Sequence, residues 1–146
     1  MQSISVRAIV IGGISDIVLS NLLGVPLAIY VIASGGLSHL PKDQLQGAIV
    51  STMHGSLGLF AAQLAIGYSC SIAGGFIASW IAKDRKLLNG VLASWLCVGV
   101  GVYALVSGKL SEPLPLTLVM IALTPFSYAL GAWLQTHMTR RRRAST

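Results

Sequence analysis

Asp16 is the residue best placed to do chemistry. It is the single formal charge inside any of the four long apolar stretches of this 146-residue chain. A carboxylate at mid-bilayer costs at least ~2.5–3.5 kcal/mol on insertion scales, so it has to face other helices, a watery cavity or a subunit interface. Gly13, Ser20 and Gly24 recur on its helix face, and Asn21 stands beside it. Gln63, in the second stretch, is the nearest polar residue that could meet it. Asp16, Ser20, Asn21 and Gln63 therefore form a candidate ion or proton site. The competing expectation is a hydrogen bond between helices that fixes their packing. It is favoured here, because a transporter usually shows more than one embedded ionisable group.

Other chemistries find fewer residues. His39, His54 and His137 fall in a loop, at one interface and at the opposite helix end, so they cannot pair across a haem. No His-x-x-His or carboxylate cluster marks a metal site, and no cofactor or metal is expected. Cys70 and Cys97 are single thiols that read as small packing residues, at depths that allow contact. The nearest approach to a hydrolase motif, His54-Gly55-Ser56-Leu57-Gly58, lacks its first glycine, and His54 is too shallow to activate the deeper serines. No phosphate-cradling loop is present. The chain does not read as an enzyme, and no catalytic residue is assigned.

The elements that hold Asp16 follow from composition. Hydrophobic residues are 54% of the chain and charged ones 10%, against roughly 25% charged in soluble domains. That excludes a soluble enzyme, a disordered tail and a disulfide-rich secreted module. The basic balance of +6 sits at the ends of apolar stretches, a topology signal and not a nucleic-acid face. Apolar runs cover residues 8–34, 48–82, 87–108 and 114–138, each long enough for the ~20 residues that a spanning helix needs. They lack the alternation of transmembrane strands. The sequence predicts an all-α polytopic membrane protein: one domain over residues 1–146, a four-transmembrane-helix bundle with a basic tail at 139–146.

The second run is too long for one plain crossing, at about 52 Å for a rise of ~1.5 Å per residue. Its membrane part is expected from Phe60 to Ala82, with Ala48 to Leu59 projecting above or lying along the bilayer. Pro41 marks its start. Arg7, Lys83, Arg85, Lys86 and the four arginines 140–143 fall on one side, and only Lys42 and Lys109 on the other. Both termini are therefore expected in the cytoplasm. The first span is too long for a signal-peptide core and reads as a retained anchor.

Lipid gives helices no hydrophobic reason to associate, so small residues must bring them together. Gly67, Ser71, Gly75 and Ser79 line one face of the second helix. Gly90, Ser94 and Gly101 lie on one face of the third, with Cys97, Ala104 and Gly108. Thr117, Thr124, Ser127 and Gly131 mark the fourth. These faces are expected to pack inside one bundle, with the second helix's stripe as the alternative contact for a partner subunit. Ser71-Ile72-Ala73-Gly74-Gly75 resembles Ser127-Tyr128-Ala129-Leu130-Gly131, a sign of two parallel repeats.

The run Gly74-Gly75-Phe76-Ile77-Ala78, a short basic loop and Leu88-Asn89-Gly90 resemble a pattern in uncharacterised small bacterial four-span membrane proteins. Pro125, Leu130-Gly131-Ala132 and the arginine-rich tail fit the same plan. The resemblance implies a bacterial inner (plasma) membrane protein and carries no activity. The expected function is a non-catalytic structural, accessory or scaffolding subunit; the alternative is a homo-oligomeric channel or proton-coupled transporter using Asp16. The expected partners are the bilayer, anionic lipids at Arg140, Arg141, Arg142 and Arg143, and a homo-oligomer or larger membrane complex, with no nucleic acid.

Overall fold

The computed structural model describes residues 4–107 and 114–144, with side chains as far as Arg141. Gly108 and the expected loop with Lys109 lie outside the described residues, as do the side chains of Arg142 and Arg143. Among the described residues the chain is entirely helical. Its five α-helices are α1 Val6–Ser34, α2 Lys42–Gly55, α3 Leu57–Ile81, α4 Lys86–Val106 and α5 Leu114–Ala144. All but α2 are long and apolar enough to cross a membrane.

The long second run is two helices and not one. Ser56 drops into extended backbone (φ −119°, ψ 113°) and its Oγ accepts from the Leu59 N–H, capping α3. Gly55 and Ser56 together favour that break: glycine weakens the end of α2, and serine competes for backbone donors and caps the next helix. The polar α2 packs on α1 and α3, after a short 3-10 turn at Leu37–His39 entered through Gly36 in the left-handed region (φ 62°). At the other extreme, α5 outruns its expected end. The basic tail continues the helix to Ala144.

α3 packs along each of the other long helices, and α4 likewise, while the backbones of α1 and α5 stand apart on opposite corners. Neighbours α3 and α5 run parallel, as do α1 and α4. The ends of α1 (Ser5) and α3, and the α3–α4 turn, gather at one end, which carries Lys83, Arg85 and Lys86; α2 lies at the other. At the basic end Asn89, fully buried, accepts from the Ser5 N–H (2.8 Å) and donates to the Asp84 and Arg85 carbonyls. That clamp holds the tight turn in which Arg85 takes a left-handed conformation (φ 44°).

Backbone contact welds the basic half of the bundle. A Cβ on Gly75 would strike the Tyr128 backbone, and one on Gly131 would strike the backbone of Ile72. Gly131 follows Gly75 by the same interval as Tyr128 follows Ile72, so the two contacts are reciprocal. They bring α3 and α5 together at matched positions, 56 residues apart in each case. Gly12 meets Gly74 and Ala78 on α3, and its neighbour Gly13 meets Ala93 and Leu96 on α4. Ser71, Gly75, Ser79, Gly90 and Ser94 are buried here, and Gly101 rests half-buried on Ile121. The stripe on α3 is thus an intrachain contact with α5 and α1 and does not wait for a partner subunit. Gly67 departs from it: nothing lies within 4 Å of a Cβ placed there.

Gly75→Ala should lower the melting temperature in detergent, by the equivalent of about 1–3 kcal/mol for a forced-in methyl group. Gly67→Ala should leave it unchanged or raise it slightly, since alanine is the better helix former. Equal melting of the two variants would put both glycines in the same surroundings and break the packing scheme.

Candidate functional site

Asp16 sits near the middle of α1 and is 4% exposed. Its Oδ2 accepts from the Tyr128 hydroxyl at 2.7 Å, the Ser71 hydroxyl at 3.0 Å and the Cys97 thiol at 3.3 Å. Its Oδ1 accepts from the Ser20 hydroxyl, one turn on, at 3.1 Å. One donor thus comes from each of the four long helices. The Cys97 Sγ also lies 3.3 Å from the Tyr128 hydroxyl oxygen, so its one hydrogen can serve either Asp16 or Tyr128, which brings α4 and α5 to the same point. None of the four donors is basic, so the carboxylate is satisfied by neutral dipoles, which act strongly where water is scarce.

The approach of these donors depends on the glycines. A Cβ on Gly74 would lie 3.0 Å from the Asp16 Cβ and 3.1 Å from the Tyr128 hydroxyl oxygen, so any side chain there would crowd both. A second polar layer lies toward the basic end. There Ser79, fully buried, donates to Gln135 Oε1 (3.3 Å), and the Gln135 amide donates to Thr139 (3.1 Å). Large apolar side chains such as Leu22, Trp95 and Phe126 point outward instead. Polar groups inside and apolar ones outside suit helices that associate in lipid.

On the side toward α2 the helices part around a cavity of about 380 Å³ with Asp16 at its floor. Ser20, Asn21, Gln63, Gly67, Ser71, Cys97 and Thr124 line it together with Ile17, Leu64, Tyr68, Val100 and Met120. The expected quartet is brought to one place, with one reassignment. Gln63 forms cavity wall, and the partner role expected of it belongs to Ser71, Cys97 and Tyr128. Asn21 turns its amide back to the Ile17 carbonyl (2.7 Å). Ser71 was expected only as packing and Cys97 as an inert thiol; both bond the carboxylate. Cys70, 2% exposed, remains a buried packing residue.

The histidines stay apart. His39 ends the 3-10 turn, His54 meets Phe60 edge-on, and His137 stacks on Trp133 at a centroid distance of 5.3 Å. Among the described residues no group of three His, Cys, Asp or Glu side chains could hold a metal. At the basic end Lys83, Arg85, Lys86 and Arg140 border a second cavity with Leu87, Leu88, Thr136 and Thr139. Of the four tail arginines, Arg140 joins this group and Arg141 is exposed beside it.

No protein family, curated protein or solved structure matches the chain.

Tyr128→Phe keeps the ring and removes the shortest bond to Asp16. A buried charged acceptor that loses such a donor should destabilise the fold by about 1.5–3 kcal/mol, read as a lower melting temperature in detergent. Tyr103→Phe, on an exposed ring of α4, should melt like the wild type. Equal melting of both variants would mean the Tyr128 hydroxyl contributes nothing to the clasp.

Proposed function

We propose that the protein is a small integral membrane protein of the bacterial inner membrane and acts as a non-catalytic structural, accessory or scaffolding subunit. One observation carries this reading: a single embedded carboxylate is bonded by donors from all four long helices. Such a centre spends its ionisable group on holding helices together. The backbone-to-backbone packing of the basic half supports the same conclusion, because α3 closes there on α5 at Gly75 and on α1 at Gly12. A homo-oligomer or a larger membrane complex is the partner that a scaffold of this size would serve.

In this reading both termini are cytoplasmic and the basic end faces the inner leaflet. Support comes from Lys83, Arg85, Lys86, Arg140 and Arg141 at one end of the bundle. Near an anionic surface each contributes roughly 1 kcal/mol, and Leu87 and Leu88 among them offer apolar surface to acyl chains. A fluorescent protein fused to the C-terminus should be bright and alkaline phosphatase fused there inactive. Replacing the four tail arginines with Gln should reduce the acidic lipid retained through purification. An active phosphatase would reverse the orientation, and unchanged lipid would reduce the tail to a topology anchor.

A second reading is favoured by the cavity that ends on Asp16: a channel or proton-coupled transporter using that carboxylate, Ser20, Asn21 and Gln63. Proteoliposomes separate the two. The scaffold reading expects no proton or cation flux above empty liposomes in either wild type or Asp16→Asn. Flux in the wild type that Asp16→Asn abolishes would replace the scaffold with the transporter.

A further inference from the structure

We propose that the cavity above Asp16 is a binding site for a small organic monocation, a primary ammonium on a short apolar body, with the ammonium seated on Asp16 Oδ1. The two carboxylate oxygens are unequally used. Oδ2 accepts from Tyr128 and Ser71, with the Cys97 thiol also within reach of it, whereas Oδ1 accepts one bond, from Ser20. A carboxylate oxygen has capacity for about two acceptances, so Oδ1 keeps a place for a further donor. Asp16 lines the void together with Ser20, Ser71 and Cys97.

Three hydroxyls around the void are arranged to accept. Ser20 and Ser71 spend their hydrogens on Asp16, and Thr124 spends its own on the Met120 carbonyl at 2.9 Å. Each keeps oxygen lone pairs for a ligand. Three hydroxyl acceptors beside one negative charge, with the Tyr68 hydroxyl and the Asn21 and Gln63 amides elsewhere in the wall, fit a group that donates and carries one positive charge. An ammonium has three donors and no acceptor. Among the described residues no Lys, Arg or His lines the cavity to compete for the carboxylate.

Size and wall chemistry narrow the class. About 380 Å³ is the space of roughly a dozen waters at ~30 Å³ each, far more than a bare ion occupies. Hard divalent cations take six or more oxygen ligands, and among the described lining residues Asp16 is the one carboxylate. Ile17, Leu64, Val100 and Met120 supply the apolar wall for an alkyl body, a mixture typical of small-molecule sites.

The inference deepens the second reading by naming a ligand class, and it is tested by binding, so a protein that moves nothing can still satisfy it. The probe is n-hexylammonium, titrated calorimetrically into the full chain in phosphatidylcholine nanodiscs, with empty discs as blank. Saturable binding is expected for the wild type, and n-hexanol should not reproduce it. Asp16→Asn should weaken binding about ten-fold or more, the loss of a charge-assisted hydrogen bond. Gly67→Leu should abolish binding while the melting temperature holds, because its side chain enters the void without meeting another helix at its Cβ. Should Asp16→Asn fail to fold, Gly67→Leu decides alone. Absence of saturable binding in the wild type, equal binding of hexanol, or wild-type affinity in the folded variants would overturn the site.

Discussion

A carboxylate placed among apolar helices has to be given donors, and that requirement shapes this bundle. Asp16 cannot reach out far on its short side chain, so the donors must come to it. Ser71 and Cys97 are short as well, and their bonds of 3.0 and 3.3 Å bring α3 and α4 close to α1. Close approach requires residues without bulk at the crossing points. Gly12 and Gly74 allow it between α1 and α3, and Gly13 allows it between α1 and α4. Only Tyr128 spans a larger gap, and it does so from the opposite corner of the bundle, where the backbones of α5 and α1 do not approach each other. Its length is what lets the diagonal helix share in the clasp.

The same requirement divides the molecule into two halves. From Asp16 to the basic end, small residues face one another and the backbones touch: Gly75 on Tyr128, Gly131 on Ile72, Gly90 on Ala132. From Asp16 toward α2 the facing residues no longer interlock. Gly67 has open space before it, and Gly101 is met only by the Ile121 side chain. Loss of contact on that side is what opens the cavity. The carboxylate sits at the boundary, so it serves at once as the top of a sealed layer and the floor of an open one.

Much of this was legible in the sequence, and the rest was not for definite reasons. Asp16 announces itself because charge in an apolar run is costly, whatever its partners. The spans follow from length and composition alone. Which residues meet Asp16 depends on the register between helices, and a single sequence carries no record of register. Gln63 looked suitable because it is polar, but depth places it on the cavity wall, while Ser71 is two turns deeper and faces the carboxylate. Tyr128 escaped notice because a tyrosine in an apolar run passes for an aromatic filler. Its match to Ile72 in the repeat was the available signal: one copy carries a hydroxyl where the other carries none. The break at Ser56 was hidden by continuous low charge, which the Gly-Ser pair interrupts without changing hydropathy.

Gly67, Ser71, Gly75 and Ser79 show how little spacing alone decides. All four share one helix face, yet they do three different things. Gly75 admits the backbone of α5, Ser71 and Ser79 donate hydrogen bonds to groups on other helices, and Gly67 leaves room. Had residue 67 carried a large side chain, the half toward α2 would be filled and Asp16 would be fully enclosed. The small residue preserves access to a carboxylate oxygen that packing does not use. The two oxygens are used unequally: Oδ2 meets the donors of three neighbouring helices, and Oδ1 takes one donor, Ser20 of its own helix. A group that clasps the bundle can in this way remain available to a ligand, because satisfying the first role leaves an acceptor for the second.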